Sequence, residues 1–200
     1  PHSVHGVAWQ RPWDVVSCAA GEAEMVYVHA PDAHWPFAFE LRQRFVLTAD
    51  TLEVHAAFTN RAPHAQPAGL GWHPYFPKRP RSRLHIELSE RWDNDASGLP
   101  TRRVPQPGID ADIAHLAFDN CFAGWRGPAR IRDEKLSLRL SSSLPYLVVF
   151  TPDTKPYYCV EPVSHVSNAI HMSDPAAHGL RAVEPNATFD AWMKLEIAHA

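Results

Sequence analysis

Two residues have the side chains and the sequence surroundings that proton-transfer chemistry requires. Glu161 ends the apolar run 157–160, and His73 lies between Trp72 and Tyr75. Each precedes a proline, which holds the residue before it in an extended conformation and so fixes the direction of its side chain. A histidine in a partly dry setting suits a general acid, and a carboxylate is rarely buried without a partner or a purpose. A satisfied core histidine is the alternative for His73.

The segment Val4–Trp13 combines an imidazole with flat aromatic surfaces. His5 is followed by a glycine, which favours a turn, and Trp9 comes next along the segment. Sugars bind to such groups, with their C–H faces on aromatic rings and their hydroxyls on fixed polar side chains. The segment therefore indicates a carbohydrate site, although a surface turn anchored by buried tryptophans would explain it too.

A third candidate is Asp119, which lies among aromatic residues in the segment Phe118–Phe122. A carboxylate in that position could fix a substrate hydroxyl. The pair Asp119–Asn120 is also common turn chemistry, because both side chains hydrogen-bond to nearby backbone. From the residues alone, a turn is the favoured interpretation.

Several classes of function are excluded by what the sequence lacks. The thirteen histidines are scattered, without HExxH or a Cys/His cluster, so we expect no metal site. Gly69 and Gly71 lack the rest of a nucleotide-binding fingerprint, and the Gly-x-Ser-x-Gly elbow of serine hydrolases is missing. The formal charge of 19 − 22 = −3 provides no basic field for nucleic acid or an anionic membrane.

The cysteines and the apolar runs bear on location. Cys18, Cys121 and Cys159 are isolated from one another, which is typical of reduced thiols in a cytoplasmic protein. The longest apolar runs, such as Tyr146–Phe150, are far shorter than the roughly 20 residues that span a bilayer. No basic-then-apolar leader opens the chain. We therefore expect a cytoplasmic protein that does not enter a membrane.

The elements that must position these residues are strands. Nineteen prolines in 200 residues are incompatible with long helices. Apolar residues alternate with polar ones along most of the chain, and Thr48–Thr51 separates two such runs as a probable hairpin. Only Asp110–Leu116 has a helical pattern. The sequence predicts an all-β fold, one mainly antiparallel β-sandwich, with strands at 41–47, 52–58, 84–88, 136–140, 146–150, 157–161 and 189–197.

Four short motifs in this order resemble the aldose 1-epimerase (galactose mutarotase) family. They are Val4-His5-Gly6, Gly71-Trp72-His73-Pro74-Tyr75-Phe76, Phe118-Asp119-Asn120-Cys121-Phe122 and Val160-Glu161-Pro162. The resemblance implies a large antiparallel β-sandwich that interconverts the α and β anomers of free sugars without a cofactor. It covers residues 1–200 as one domain that lacks the family's N-terminal strands.

The resemblance also implies a role for each candidate residue. Glu161 matches the general base at the anomeric hydroxyl, His73 the general acid at the ring oxygen, and His5 a second active-site imidazole. Asp119 matches the acid that holds sugar hydroxyls. The family's sugar-contacting arginine lies in strands absent here, and Arg11 is close to His5. The expected sugar-binding residues are Asp119, Trp72, Tyr75, Trp9 and Arg11.

The chemistry suits these side chains, because opening a hemiacetal takes one proton from the C1 hydroxyl and delivers one to the ring oxygen. We expect the carboxylate and the imidazolium to lie on opposite sides of the sugar ring. A mutarotase for hexose 6-phosphates would need a cationic pocket as well, for which the run Lys78-Arg79-Pro80-Arg81-Ser82-Arg83 is the candidate. A sugar-binding protein without activity and a glycoside hydrolase using Asp119 and Glu161 are further alternatives. The sequence predicts neither which sugar binds nor the oligomeric state.

Overall fold

Strands joined by tight turns make up the protein, whose computed structural model describes residues 5–198. The helical segments of that range are 3-10 turns of three residues each, at Ala8–Gln10, Ile113–His115, Ala169–His171 and Ala176–His178. None of the helices in the described range is long and apolar enough to cross a membrane. The strands, in chain order, are β1 Asp14–Ala19, β2 Glu22–His29, β3 Phe39–Leu47, β4 Thr51–Asn60, β5 Gln66–Ala68, β6 Tyr75–Pro77, β7 Arg83–Glu87, β8 Glu90–Asn94, β9 Pro100–Pro105, β10 Ile109–Asp112, β11 Asp119–Ala123, β12 Arg126–Arg132, β13 Ser137–Ser142, β14 Tyr146–Phe150, β15 Tyr157–Val163, β16 Arg181–Val183 and β17 Thr188–Ile197.

One compact unit comprises the chain up to Ala68 together with Arg181–Trp192. Its strands β1 to β4 pair in sequence order, each antiparallel to the next. The expected hairpin between β3 and β4 is confirmed, because the Thr48 N–H donates to the Thr51 carbonyl at 2.9 Å. Along β4, buried and half-buried residues alternate, as a strand with one face on a core requires. The short strands β5 and β16 form a separate antiparallel pair in this unit.

The second unit comprises Gly69–Leu180 and the chain from Met193 onwards. One of its sheets has six strands in the order β6-β15-β14-β11-β8-β9. The other runs from β10 through β7, β12 and β13 to the second half of β17. Neighbouring strands in both sheets are antiparallel, so the predicted antiparallel β-sandwich is confirmed. Its core is formed by alternate residues on the inner faces, including Phe76, Leu84, Ile86, Phe122, Ile131, Leu140, Leu147, Val149, Tyr158 and Val160.

The helix predicted over Asp110–Leu116 is wrong. Residues 109–112 form β10, which pairs with β7, and only the 3-10 turn at 113–115 is helical. Arg83 explains the difference, because its guanidinium contacts the carboxylates of both Asp110 at 2.9 Å and Asp112 at 3.0 Å. Two residues that face the same partner at a spacing of two fit the period of a strand and not that of a helix.

A continuous apolar run such as that of β14 favours a strand buried on both faces, whereas the two faces of β14 differ in burial. Leu147 and Val149 are fully buried in the sandwich core, whereas Tyr146, Val148 and Phe150 are half-buried on the opposite face. That opposite face of the six-stranded sheet carries the polar side chains described below. The continuous apolar run therefore reflects a second, partly covered surface of the sheet.

Strand β17 belongs to both units. Its first half, up to Trp192, lies in the first unit, where the preceding residue Ala187 accepts a hydrogen bond from the Asn60 N–H at 3.0 Å. Its second half pairs with β13 in the second unit, with Leu195 opposite Leu140. One continuous strand therefore supplies residues to two cores.

Candidate active site

The segment before β6 lies against the end of β15 through its backbone. Gly71 forms a bridge with Val163, and the Trp72 N–H donates to the Pro162 carbonyl at 3.1 Å. A Cβ at Gly71 would come within 3.1 Å of that carbonyl oxygen and 3.0 Å of the Val163 side chain. The glycine of the Gly-Trp-His-Pro motif therefore permits the close approach that carries the following histidine to β15.

The strand register places His73 opposite Glu161. In the antiparallel ladder of β6 and β15, Tyr75 faces Cys159. The residue two positions before Tyr75, which is His73, therefore faces the residue two positions after Cys159, which is Glu161. The His73 Nε2 atom lies 3.4 Å from the Glu161 Oε1 atom. The two strongest candidates from the sequence, 88 positions apart (161 − 73), are thus brought into direct contact.

The alternation of side chains along β15 places Cys159 and Glu161 on one face of the sheet. Val160 points into the sandwich core, so Cys159 and Glu161 point to the opposite face. Across the sheet, Asp119 pairs with Phe150, which in turn pairs with Cys159, so Asp119 stands on the same face. The fold therefore collects three of the motifs on one surface of the second unit.

The environment of Glu161 favours its neutral form. Its side chain is only 9% exposed. This burial, and to a smaller extent the negative charge of Asp119, raises the pKa of the Glu161 carboxyl to about 8. A carboxyl group that titrates near neutral pH can both accept and return a proton under working conditions.

Aromatic rings fix the orientation of His73. Its ring stacks on that of Tyr75, with centroids 4.6 Å apart and an angle of 15° between the planes. Tyr75 in turn contacts Tyr157 edge to face at 4.9 Å. Tyr75 is 60% exposed, so it presents a flat apolar surface beside His73 and Glu161. Trp72 directly precedes His73, and its buried indole N–H has no hydrogen-bond partner among the described residues.

Asp119 begins strand β11, so the turn favoured from the residues alone is wrong. The buried Thr151 explains the extended backbone, because its N–H donates to the Phe118 carbonyl and its hydroxyl accepts from the Phe118 N–H, each at 2.8 Å. The same hydroxyl donates to the Leu116 carbonyl at 3.0 Å. These bonds fix the chain where it enters β11 and leave the Asp119 carboxylate exposed.

Asp119 also lines an open pocket of about 740 Å³, which no sequence motif predicts. Asp93 in this pocket accepts hydrogen bonds from Arg91 at 2.8 Å and from Arg102 at 3.0 Å. Asn94 and Asn120 line it too. Paired charges and amides of this kind match the hydroxyls of a sugar, and they come from three strands that no sequence motif connects.

The remaining predicted residues lie in the first unit. His5 has a φ of 67° and the glycine after it a φ of 68°, which confirms the predicted turn. The His5 ring meets the edge of the Trp9 ring at 5.9 Å, and Trp9 is 62% exposed, unlike a buried anchor. Arg11 contacts Asp32 at 2.7 Å. Val4 of the first motif lies outside the described residues. The active-site roles of His5, Trp9 and Arg11 remain predictions.

Cys159 lies beside His73 and Glu161, although the sequence did not single it out. A ring nitrogen of His73, the Cys159 sulfur and a carboxylate oxygen of Glu161 all lie within 4.8 Å of one another. Cys159 is fully buried, and this burial raises the pKa of its thiol to about 12. The predicted strand pattern already placed residues 159 and 161 on one face, but only the register with β6 adds the histidine.

The basic run from residue 78 to residue 83 is largely neutralised by its surroundings. Arg79 contacts Asp133 at 2.8 Å, and Arg83 contacts two aspartates, Asp112 among them at 3.0 Å. The Lys78 ammonium donates to a backbone carbonyl, that of Pro152, at 2.8 Å. These cations are thus committed to partners within the second unit.

Comparison with known proteins defines the class to which this fold and site belong. Residues 1–196 match the family Aldose 1-epimerase. The uncharacterized protein YphB of Escherichia coli K12 is 29% identical over 98% of this chain and 72% of its own length.

Solved structures agree with the family match. A candidate aldose 1-epimerase from Escherichia coli K12 has a TM-score of 0.86 and 28% identity, covering 98% of this chain and 72% of its own. The Slr1438 protein of Synechocystis sp. PCC 6803 has a TM-score of 0.83 and 26% identity, covering 100% of this chain and 70% of its own. The protein belongs to the aldose 1-epimerase family, and its fold is that of galactose mutarotase-like proteins.

Proposed function

We propose that this protein is an aldose 1-epimerase, an isomerase that interconverts the α and β anomers of a free hexose without a cofactor. The observation that carries the proposal is the contact of 3.4 Å between the His73 imidazole and the buried Glu161 carboxyl. The family membership supports the same class of reaction. An acid and a base in contact, on one face of a sheet and beside exposed aromatic surface, are the groups that mutarotation needs.

The reaction begins with ring opening. Glu161 removes the proton of the C1 hydroxyl, His73 delivers a proton to the ring oxygen, the bond from C1 to that oxygen breaks and the C1 carbonyl forms. Rotation about the C1–C2 bond then presents the other carbonyl face. The hydroxyl formed from the ring oxygen returns its proton to His73 as it attacks C1, and Glu161 protonates the carbonyl oxygen to give the new C1 hydroxyl.

Adjacent positions for the acid and the base suit this chemistry better than the expected opposite sides. The two reacting oxygens are bonded to the same carbon, so the groups that serve them must also be close together. The 3.4 Å between the His73 and Glu161 atoms meets that requirement. A proton can then pass to either group without the sugar leaving the site.

The remaining contacts hold the sugar during this exchange. Asp119, exposed on the same face and next to the polar pocket, accepts hydrogen bonds from sugar hydroxyls. Tyr75 and Trp72 offer aromatic surface to the C–H faces of the ring. His5, Trp9 and Arg11 are assigned to the site by the family resemblance.

Two observations support the proposed substrate, an unphosphorylated sugar, and the proposed cellular location. Three of the four cations in the run 78–83, Lys78, Arg79 and Arg83, are engaged with a carbonyl and with aspartates, which supports the assignment of the enzyme to unphosphorylated sugars. All three cysteines, Cys18, Cys121 and Cys159, are free thiols, in keeping with a cytoplasmic protein.

Polarimetry of freshly dissolved α-D-galactose and α-D-glucose tests the proposal directly. We expect the approach to anomeric equilibrium to accelerate in proportion to protein concentration, with Glu161→Gln as the matched inactive control. Glucose 6-phosphate serves as the comparison substrate and should respond less. If the protein accelerates the mutarotation of none of these sugars while it binds one of them, it is a sugar-binding protein and the enzymatic proposal is wrong.

A further inference from the structure

We propose that His73, Cys159 and Glu161 form a three-ligand site for a zinc ion, and that the bound ion switches the enzyme off. Each residue contributes a different donor: an imidazole nitrogen, a thiolate sulfur and a carboxylate oxygen. The thiol has no part in the proposed proton transfers, so the chemistry of the reaction does not explain why it stands beside them.

The geometry of the three donors fits a tetrahedral ion. Ligand atoms about 2.0–2.3 Å from zinc, at tetrahedral angles, lie about 3.3–3.8 Å from one another. The His73 and Glu161 atoms are already 3.4 Å apart, and all three donors lie within 4.8 Å. A small rotation of the Cys159 side chain would close the remaining gap, because all three residues project from one sheet face.

The donor set also selects the kind of metal. Magnesium and calcium prefer oxygen ligands and bind thiolates poorly, whereas zinc accepts sulfur, nitrogen and oxygen together. One thiolate and one carboxylate balance the two positive charges of the ion, so the complex is neutral. Neutrality matters because Cys159 and Glu161 are buried, where an unbalanced charge is costly. Three protein ligands leave the fourth position for water or a sugar hydroxyl.

Inhibition follows from the same contacts, and this part of the inference rests on the proposed function. Zinc occupies the lone pairs of His73 and Glu161 that would carry protons during ring opening and closure. The metal-free protein is therefore the active form. The prediction from the sequence that catalysis needs no metal is kept, while the expectation that no metal site exists is replaced.

The test uses untagged full-chain protein treated with a chelator and then passed into metal-free buffer. Equilibrium dialysis with Zn²⁺ should give one tightly bound ion per chain, and Co²⁺ should give the thiolate-to-metal absorption of a cysteine-ligated site. Cys159→Ser should lose that absorption and bind Zn²⁺ at least about tenfold more weakly. Cys18→Ser, which removes an exposed thiol of the first unit, is the matched control and should behave as wild type.

Activity provides a second readout. Stoichiometric Zn²⁺ should suppress mutarotation and excess chelator should restore it, whereas Cys159→Ser should need at least about tenfold more Zn²⁺ for the same fractional loss of its own rate. Equal Zn²⁺ affinity in wild type and Cys159→Ser, or the absence of a bound ion, would overturn the site. Cysteine-dependent binding by a protein without mutarotase activity would sustain the site and reject the enzyme.

Discussion

The imidazole of His73 lies almost parallel to the ring of Tyr75, with centroids 4.6 Å apart and 15° between the planes. This stacking fixes the tilt of the imidazole and therefore the direction in which its Nε2 atom points. Because Tyr75 is paired with Cys159 in the ladder, the stacking surface is anchored in the same sheet as Glu161. The imidazole proposed as the acid is thus oriented by a ring whose phenol group the proposed reaction does not need.

Removing that ring should slow catalysis without removing the acid. We expect Tyr75→Ala to lower kcat by about 2- to 10-fold, since such ring pairs contribute about 0.5–1.5 kcal/mol. Tyr75→Phe, which keeps the stacking surface, is the matched control and should retain near-wild-type kcat. Steady-state polarimetry measures both variants. Equal losses in the two would assign the effect to the hydroxyl and contradict the positioning role.

Replacement of either proton carrier should remove most of the activity. Glu161→Gln and His73→Asn keep approximate shape and hydrogen-bonding capacity, but neither new side chain can carry a proton at neutral pH. We expect a loss of about 10²–10⁴-fold in kcat for each, and little further loss in the double variant because the two groups serve one step. Circular dichroism and separately measured sugar affinity control for folding and binding. A Glu161→Gln enzyme with normal turnover would make Glu161 a structural residue.

The pH dependence of the rate should report the raised pKa of Glu161. The base form of Glu161 develops as pH rises towards about 8. The proposed mechanism also needs a proton on His73, so kcat/KM in chelator-containing buffer should follow a bell-shaped profile with pH. Asp119→Asn removes the neighbouring negative charge that contributes to the shift, so its profile should move to lower pH. The same variant should raise KM, because Asp119 is proposed to hold sugar hydroxyls. An unmoved profile would show that the two carboxyls do not interact.

Stability should depend on pH through the same residue. The pKa of Glu161 is raised from 4.5 to about 8 on folding, so between these values the native state holds a proton that the unfolded chain has lost. The contribution is fully present below the lower value and is lost as pH rises through the upper one. Glu161→Gln should therefore gain stability over wild type from pH 5 to pH 8, on the order of 2–4 kcal/mol. Urea unfolding at a series of pH values measures this difference, and a constant difference would contradict the burial cost.

Gly69 should not tolerate a side chain. A Cβ at this position would overlap the ring of His165, which is fixed by a hydrogen bond of 2.8 Å between its Nδ1 atom and the Val166 carbonyl. We expect Gly69→Ala to cost about 1–3 kcal/mol of unfolding free energy and to disturb the segment leading to His73. Adding His165→Ala removes the obstructing ring and should recover part of the loss. Thermal unfolding of the two single variants and the double variant gives the coupling between the sites.

Local patterns in the sequence were sufficient to predict seven of the strands and to single out His73 and Glu161, which the fold brings into contact. The alternation along β15 and the proline after Glu161 both depend on neighbours in the chain, and so does the restriction on His73. The polar pocket and Cys159 were not predictable in this way. Arg91 meets Asp93 within one strand, but the pocket also needs Arg102 and the start of β11, and only the pairing of strands brings these together.

The helix prediction at 110–116 was wrong for the same reason, because strand pairing between distant parts of the sequence decided the structure. Its pattern of apolar residues is too short to separate a helical from an extended period. The outcome was decided by the pairing of β10 with β7 and by the two contacts of Arg83, which are distant in sequence. The turn expected at Asp119 was prevented similarly, by the hydrogen bonds of Thr151, the residue that follows strand β14.

The position of β17 has a consequence for biosynthesis. Both units use residues of this strand, which lies at 188–197, so neither unit is complete on the ribosome until that stretch has left the exit tunnel. Translation at about 5–20 residues per second would leave the earlier strands waiting for tens of seconds at the slower rate. During that interval Leu140 of β13 lacks its neighbour Leu195 on one side, and Asn60 lacks the carbonyl of Ala187. Nascent chains of this protein should therefore depend on holdase chaperones until synthesis reaches β17, and fold after it rather than domain by domain.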